Sequence, residues 1–169
     1  ALVREMYELA HRDIGLLLDG EDDFSFAVRD LSRFRCNTYK QRGTWAAVCR
    51  IVRFELPDPS SMHIPQMVMD LVNTRSGMIL VTGPAGSGKS TTMACLIDKI
   101  NAERSGHIVT IEDPIEYIHR HDKAIVTQRE ISIDTPGYLD SLRSALRESP
   151  DVILLGEMRD YETIDVAMK

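Results

Sequence analysis

The sequence predicts an α/β fold: a partial domain built on a parallel sheet, preceded by a smaller, partial α+β domain with an antiparallel sheet. In the first 52 residues a helical pattern gives way to strands in which apolar and polar side chains alternate. After residue 64 strand and helix patterns alternate, which is typical of a parallel sheet covered by helices. The 169 residues are 43% apolar and 27% charged, so a folded protein is expected rather than a disordered one.

The first block begins with a helix and continues as strands. Leu2, Met6 and Leu9 recur at helical spacing, and an acidic turn is predicted over residues 19–23. Alternating or β-branched segments predict strands over residues 24–28, 34–38 and 44–52, with Gly43 in the turn before the last. This block is therefore predicted to be a helix followed by an antiparallel sheet.

A stretch rich in proline and serine, residues 57–64, predicts a linker between a first domain at 1–56 and a second domain at 65–169. In the second domain, helices are predicted at 65–74, 90–103 and 138–148, and strands at 78–81, 108–111, 124–128 and 152–155. The chain starts at Ala1 and ends at Lys169 inside an amphipathic segment. We therefore expect a piece of a longer protein, cut at both ends.

Composition argues against several classes of protein. A formal net charge of -6 disfavours nucleic acid as the main partner, because phosphate binding usually requires a basic face. Apolar runs are too short for a membrane helix and the amino terminus lacks a signal-peptide pattern, so a cytoplasmic protein that does not span the membrane is expected. Cys36, Cys49 and Cys95 have neither zinc-site spacing nor a paired pattern, which predicts three buried free thiols.

One motif carries most of the chemistry: Gly83, Pro84, Ala85, Gly86, Ser87, Gly88, Lys89 and Ser90 follow the phosphate-loop spacing G-x-x-x-x-G-K-S. It lies between a predicted strand and a predicted helix, which is the context that this motif requires. An ordinary glycine turn is the alternative, and the context makes it much the less favoured.

The residue types of this loop suit the binding of ATP. Gly86 and Gly88 allow backbone N–H groups to turn toward phosphates, next to the positive end of the following helix. Lys89 is expected to contact the β- and γ-phosphates, and the Ser90 hydroxyl to bind Mg²⁺. Thr91 is a further candidate, for contact with the α-phosphate.

Carboxylates follow two of the predicted strands. Glu157 ends the apolar run 152–155 and is the candidate that orients or activates the attacking water. Gly156 stands where an aspartate is usual in such sites, which leaves the source of the indirect magnesium contact open. Asp113 and Glu116 follow the strand at 108–111 and are expected to face the nucleotide, Asp113 as a possible indirect magnesium ligand. For any one such acid taken alone, a solvated loop residue is the simpler interpretation.

Taken together, these motifs resemble the type II/IV secretion ATPase superfamily, and within it the ATPases that retract type IV pili. The segments that carry the resemblance are 83–91, 110–117, 128–130, 145–151 and 156–160. The segment 110–116 and Met158 favour the retraction branch, while Asp23-Phe24-Ser25-Phe26 and Arg33-Phe34-Arg35 are similar to that family's PAS-like amino-terminal domain. The resemblance implies a RecA-like P-loop core behind the PAS-like domain.

The resemblance also implies roles for individual residues. Lys89 belongs to the Walker A loop, Glu116 to the aspartate box, and Glu157 to the Walker B element as the catalytic glutamate. Arg35 and Arg50 match arginines that the amino-terminal domain contributes to the nucleotide site, although a solvated strand face explains them equally well. Arg33 lies on the same strand face as Arg35 and is an alternative to it.

For the whole protein, the resemblance implies a homohexameric motor that works on a pilus platform protein at the inner face of the cell membrane. The family's histidine box is expected beyond Lys169, so this chain alone is expected to be weak or inactive. A pilus-assembly or type II secretion ATPase is the nearest alternative. A nucleotide-dependent scaffold without turnover, or a small-molecule kinase, are alternatives from other classes.

Overall fold

The computed structural model describes residues 2–28, 31–52 and 56–169, except for the side chain of Asp19. The chain forms two compact units, Ala1–Phe54 and Glu55–Lys169. The α/β class is confirmed, with an antiparallel unit first and a parallel sheet second. The predicted boundary adjoins residues 53–55, which lie outside the described residues.

The first unit is an antiparallel sheet of three strands in the order β1-β2-β3, covered by helices. Helix α1 (Leu2–Leu9) and a 3-10 helix (Ile14–Asp19) precede strands β1 (Glu21–Val28), β2 (Ser32–Gln41) and β3 (Thr44–Val52). The strands present one face to the helices because apolar side chains alternate along them. The core of this unit consists of Tyr7, Leu17, Phe24, Phe26 and Cys36.

The acidic turn predicted over residues 19–23 is shorter than expected, because β1 already begins at Glu21. Asp22 is held in this strand by two hydrogen bonds from the Arg12 guanidinium, at 2.8 and 2.7 Å, and by one from the Tyr7 hydroxyl at 3.0 Å. A carboxylate with such partners is stable inside a strand, whereas its residue type alone favours a turn.

The second unit has a parallel sheet in the order β5-β4-β6, formed by β4 (Gly106–Glu112), β5 (Ala124–Glu130) and β6 (Val152–Leu155). Central strand β4 is buried on both faces: Ile108 packs with Ile97 of α3 (Lys89–Glu103), and Val109 packs with Leu142 of α4 (Tyr138–Ala145). Parallel strands end at one common edge, so residues that follow β4 and β6 are brought close together. Helix α5 (Tyr161–Met168) packs beside α4.

The helix predicted at 65–74 is a short α-helix, α2 (Gln66–Met69), followed by a 3-10 helix (Asp70–Asn73). The predicted linker contains hydrogen-bonded turns, and Ile64 at its end packs on the cluster of Met69, Val72, Cys95 and Leu96. The predicted helix at 138–148 likewise ends as α4 at Ala145 and continues as a 3-10 turn (Leu146–Glu148).

The strand predicted at 78–81 is wrong. Within the described part of the chain this segment pairs with no strand, and Met78, Ile79 and Leu80 are exposed. An apolar run supplies the side chains of a buried strand, but a strand also needs a hydrogen-bonded neighbour. The phosphate-loop motif therefore follows a segment that belongs to neither sheet.

Candidate functional site

The loop over residues 83–88 turns tightly before α3. Gly83 has a φ of 153°, and a Cβ atom there would lie 2.7 Å from the Ser87 hydroxyl oxygen. Gly88 caps the helix in the left-handed region with a φ of 90°. Both conformations require glycine. The loop is exposed over residues 83–87, so its backbone N–H groups and the positive end of the 15-residue helix α3 are accessible to an anion.

Lys89 and Ser90 begin α3 and line a cleft at its amino end. The Lys89 ammonium donates a hydrogen bond to the Pro84 carbonyl oxygen at 2.9 Å, which holds the lysine against the loop. Thr91 does not line the cleft; its hydroxyl lies 3.0 Å from that of Tyr117. The first turn of α3 is thereby tied to the segment that carries the predicted acids.

Carboxylates from the ends of two neighbouring strands line the same cleft as Lys89. Asp113 and Glu116 follow β4 and are exposed, whereas Glu157 follows β6 and is half-buried. One Glu157 carboxylate oxygen lies 2.8 Å from Nε of Arg159, a largely exposed side chain. The fold therefore brings together the predicted lysine, serine and acids, although their roles remain proposals.

Gly156, which takes the place of the usual aspartate before Glu157, lies in crowded surroundings. A Cβ atom on Gly156 would lie 3.3 Å from the Glu112 Cα, 3.3 Å from the Tyr138 hydroxyl and 3.4 Å from the Ile111 carbonyl oxygen. Two of these neighbours are backbone atoms of β4, so a larger side chain would push the strand ends apart. An aspartate at this position would therefore crowd the end of β4.

Two side chains of β5 hold the segment that carries Asp113 and Glu116. The Gln128 side chain accepts a hydrogen bond from the His119 amide at 2.8 Å and donates one to the Tyr117 carbonyl at 2.9 Å. The buried Glu130 carboxylate accepts from the Ile115 amide at 3.2 Å. Gln128 and Glu130 of β5 thus hold in position the stretch that carries Asp113 and Glu116.

Three ionisable cleft residues with shifted pKa values were not predicted as site residues: Glu112, His119 and Tyr138. Burial raises the pKa of Glu112, although hydrogen bonds from Thr110 and Gln128 oppose this. Burial lowers the pKa of His119, and Asp98 opposes that shift. Burial, followed by the charge of Glu157, raises the pKa of Tyr138, whose hydroxyl has no hydrogen-bond partner among the described residues.

Of these three, Glu112 had a sequence signal, since it adjoins Asp113 in the acidic segment. Tyr138 had none, because it starts a helix far along the chain and reaches the cleft only through the fold. His119 also gave no signal that sets it apart from the other histidines. Each is found only when the sheet and its helices are assembled.

Arg35 and Arg50 lie opposite each other on β2 and β3 of the first unit. Arg33, two residues before Arg35, lies opposite Val52 on the same ladder. These arginines lie in the first unit, and their contribution to the cleft of the second unit remains a prediction. Their pairing does place both on one face of the antiparallel sheet.

Among the described residues, no group of three or more His, Cys, Asp and Glu is arranged to hold a metal ion alone. The cleft nevertheless offers oxygen donors in Ser90, Asp113 and Glu116, and oxygen is the donor that Mg²⁺ prefers. This suits an ion shared with the phosphates of a bound nucleotide. No helix in the described segments has the length and apolar character needed to cross a bilayer.

Comparison with known proteins gives a consistent picture. Residues 58–169 match the family model described as type II/IV secretion system protein. The type IV pilus retraction ATPase PilT of Pseudomonas aeruginosa is 46% identical over 148 residues, which cover 88% of this chain and 43% of that protein. A twitching motility protein of Neisseria gonorrhoeae is 45% identical over 148 residues, covering 88% of this chain and 40% of that protein.

A crystal structure of the pilus retraction motor PilT with bound ADP superimposes with a TM-score of 0.88 at 52% identity, covering 90% of this chain and 45% of that one. Type II secretion system protein E of Aeromonas hydrophila is 41% identical, but over only 104 residues, 61% of this chain and 20% of that protein. The chain thus spans less than half the length of the retraction ATPase and of the twitching motility protein.

Proposed function

Because the chain belongs to the type II/IV secretion system protein family, we propose that the whole protein is an ATP-hydrolysing motor that retracts type IV pili and drives twitching motility. One observation carries the proposal: the phosphate-loop lysine Lys89 and the acids Asp113, Glu116 and Glu157 line a single cleft. An anion-binding helix end beside carboxylates is the arrangement that phosphoryl transfer to water requires.

Each residue of the cleft has a step that follows from its chemistry. The loop N–H groups and α3 bind the phosphates, and Lys89 exchanges its hydrogen bond to the Pro84 carbonyl for one to the β- and γ-phosphates. Glu157 orients the attacking water and accepts its proton. For this Glu157 must reach the water, so its contact with Arg159 loosens or turns when nucleotide binds.

The Ser90 hydroxyl, with Asp113 or Glu116 through water, would hold a magnesium ion in this cleft. When bound, magnesium neutralises charge on the phosphates. Since glycine stands in place of the usual aspartate at position 156, the acids after β4 would supply the indirect contact with the ion.

Retraction rather than pilus assembly or protein secretion is favoured by the extent of similarity. The retraction ATPase and the twitching motility protein match over 88% of the chain, which includes most of the antiparallel unit, whereas the secretion protein matches over 61%. We further propose that the protein works as a homohexamer on a platform protein of the inner membrane, at its cytoplasmic face. Arg35 and Arg50 would then neutralise charge on the transferred phosphoryl group.

The hydrolytic role is tested on the intact protein that contains this chain. Glu157→Gln should retain ATP binding and lower steady-state phosphate release by about 10²-fold or more, since it removes the group that accepts the proton. Lys89→Ala should weaken nucleotide binding itself. Glu162→Gln, which changes an exposed acid of α5, is the matched control and should hydrolyse ATP normally. Normal turnover by Glu157→Gln would refute its assigned role, and absence of turnover in the unaltered protein would favour a scaffold.

The direction of the motor is tested in the source cells. Deletion of the gene should abolish twitching while pili remain on the cell surface. Loss of the pili themselves would indicate an assembly ATPase, and intact twitching with impaired protein export would indicate a secretion ATPase.

A further inference from the structure

Two of the three cysteines face each other across the antiparallel sheet. In the ladder between β2 and β3, Cys36 is the direct partner of Cys49. The two residues share one face of the sheet, since directly opposed side chains always do. Cys95 lies in the other unit, where its thiol is 3.7 Å from the Pro57 carbonyl oxygen.

The position of this pair on the ladder sets its geometry. The strands are joined by a two-residue turn, Arg42-Gly43, in which both residues have positive φ, 49° and 79°. The pair that closes such a turn, Gln41 and Thr44, is hydrogen-bonded, and pair types alternate along the ladder. Cys36 and Cys49 lie five pairs further on, so they form a non-hydrogen-bonded pair.

That pair type suits a covalent bridge. Non-hydrogen-bonded partners have Cα atoms about 4.5 Å apart, the closer of the two spacings in an antiparallel sheet. Disulfides form over Cα separations of about 4.4 to 6.8 Å. The pairing of β2 and β3 therefore brings the two cysteines within the range over which disulfides form.

The two thiols differ in access to solvent. Cys36 is fully buried in the core cluster with Tyr7, Phe24 and Phe26, whereas Cys49 is exposed, contrary to the predicted burial of all three. Burial, followed by the neighbouring Cys49 thiol, raises the pKa of Cys36 to about 12. An oxidant thus meets Cys49 first, and Cys36 reacts afterwards, through the small fraction of it that is thiolate.

We propose that Cys36 and Cys49 are a redox modification site that closes to a cross-strand disulfide on reaction with a small-molecule disulfide such as oxidised glutathione. The Cys49 thiolate attacks one sulfur of the reagent, forms a mixed disulfide and releases one thiol. Cys36 loses its proton and attacks the Cys49 sulfur, which releases the second thiol. Two protein thiols are oxidised and one reagent disulfide is reduced to two thiols.

The bridge would lie next to Arg35 and Arg50, the two arginines proposed to act at the nucleotide site. Arg35 and Arg50 are the neighbouring partners on the same ladder, so the disulfide would fix the spacing of the two strands beside them. Intracellular disulfides of this kind are usually transient, which fits a reversible modification.

The test treats the 169-residue chain with oxidised glutathione at pH 8 and maps its peptides without reduction. Two of the three thiols should disappear, and trypsin should yield a linked pair of peptides, residues 36–40 joined to 43–50. Cys95 should stay reduced, and dithiothreitol should restore all thiols. Because the closing step needs the Cys36 thiolate, its rate should rise steadily with pH.

Cys49→Ser, a change at an exposed position, is the control and should form no linked peptide while Cys36 stays free. Two results would overturn the proposal: a stable glutathione adduct on Cys49 beside a free Cys36, or a bridge that joins the Cys49 residues of two chains. Either would mean that the two opposed thiols do not react with each other in this sheet.

Discussion

Single residues of the cleft divide into those that a motif identifies and those that only packing identifies. Lys89 and Ser90 are predictable because phosphate binding needs a local spacing of glycines, lysine and hydroxyl. The absence of a side chain at Gly156 is visible in the sequence, but its cause is not. It depends on Tyr138 and on the backbone at Glu112, which come close only in the folded chain.

At Gly156 we predict a strong sensitivity to size. Gly156→Ala should lower the free energy of unfolding by about 1–3 kcal/mol, since its Cβ meets neighbours at 3.3 Å. Urea unfolding measures this change. Gly137→Ala is the matched control, because a Cβ there has no neighbour within 4 Å and the backbone is extended, with a φ of -174°. Equal effects at both positions would show that loss of a glycine, not crowding, is responsible.

At the scale of elements, the strand at 152–155 and the strand at 44–52 have the predicted bounds, because their apolar or β-branched runs coincide with paired backbone. The strand at 78–81 fails for the opposite reason: its side chains suit a strand but no neighbour pairs with it among the described strands. Hydrophobic pattern predicts what an element can bury, and pairing decides whether it forms.

The segment 113–119 lacks regular structure of its own, so its position depends on β5. Gln128→Ala should lower the free energy of unfolding by about 1–3 kcal/mol, since it leaves the Tyr117 carbonyl and His119 amide without their partners. Hydrogen exchange should accelerate at the His119 amide, while the Ile115 amide, which Glu130 holds, stays protected.

Gln66→Ala is the control for this change, because Gln66 makes one exposed hydrogen bond, to Asp70 at 2.7 Å. It should alter stability by less than about 0.5 kcal/mol. Equally faster hydrogen exchange at the Ile115 and His119 amides after Gln128→Ala would mean that the whole segment detaches from β5. That result would contradict the prediction that Glu130 and Gln128 hold it independently.

At the scale of the molecule, we expect His119 of the second unit and Asp22 of the first unit to lose their contributions to stability over different pH ranges. In the second unit the pKa of His119 lies below its ordinary value, so the unfolded chain takes up the proton first. The contribution of neutral His119 to stability is present above about pH 6.5 and is lost as the pH falls below that value. In the first unit, burial raises the pKa of Asp22, but the hydrogen bonds from Arg12 and Tyr7 lower it by more, so the pKa lies below its ordinary value. That contribution is lost only below about pH 3.9.

Two optical signals separate these responses. The only tryptophan, Trp45, lies in the first unit, whereas three of the longer helices, α3, α4 and α5, lie in the second. Between pH 7.5 and 5.5 the melting temperature from helical circular dichroism should fall, while that from tryptophan fluorescence should hold. His119→Gln should reduce this fall in melting temperature.

Glu112 acts in the opposite sense, since its raised pKa favours the fold as the pH decreases. A parallel fall of both signals would contradict the assignment.

The crowding around Gly156 has an evolutionary consequence. The Tyr138 hydroxyl, one of its three close neighbours, has no hydrogen-bond partner among the described residues. Removal of this hydroxyl therefore breaks no hydrogen bond among them. Homologues that carry alanine at the position of Gly156 should therefore have lost that hydroxyl, with phenylalanine or a smaller side chain in place of Tyr138. The two sites should covary although 17 residues of sequence lie between them.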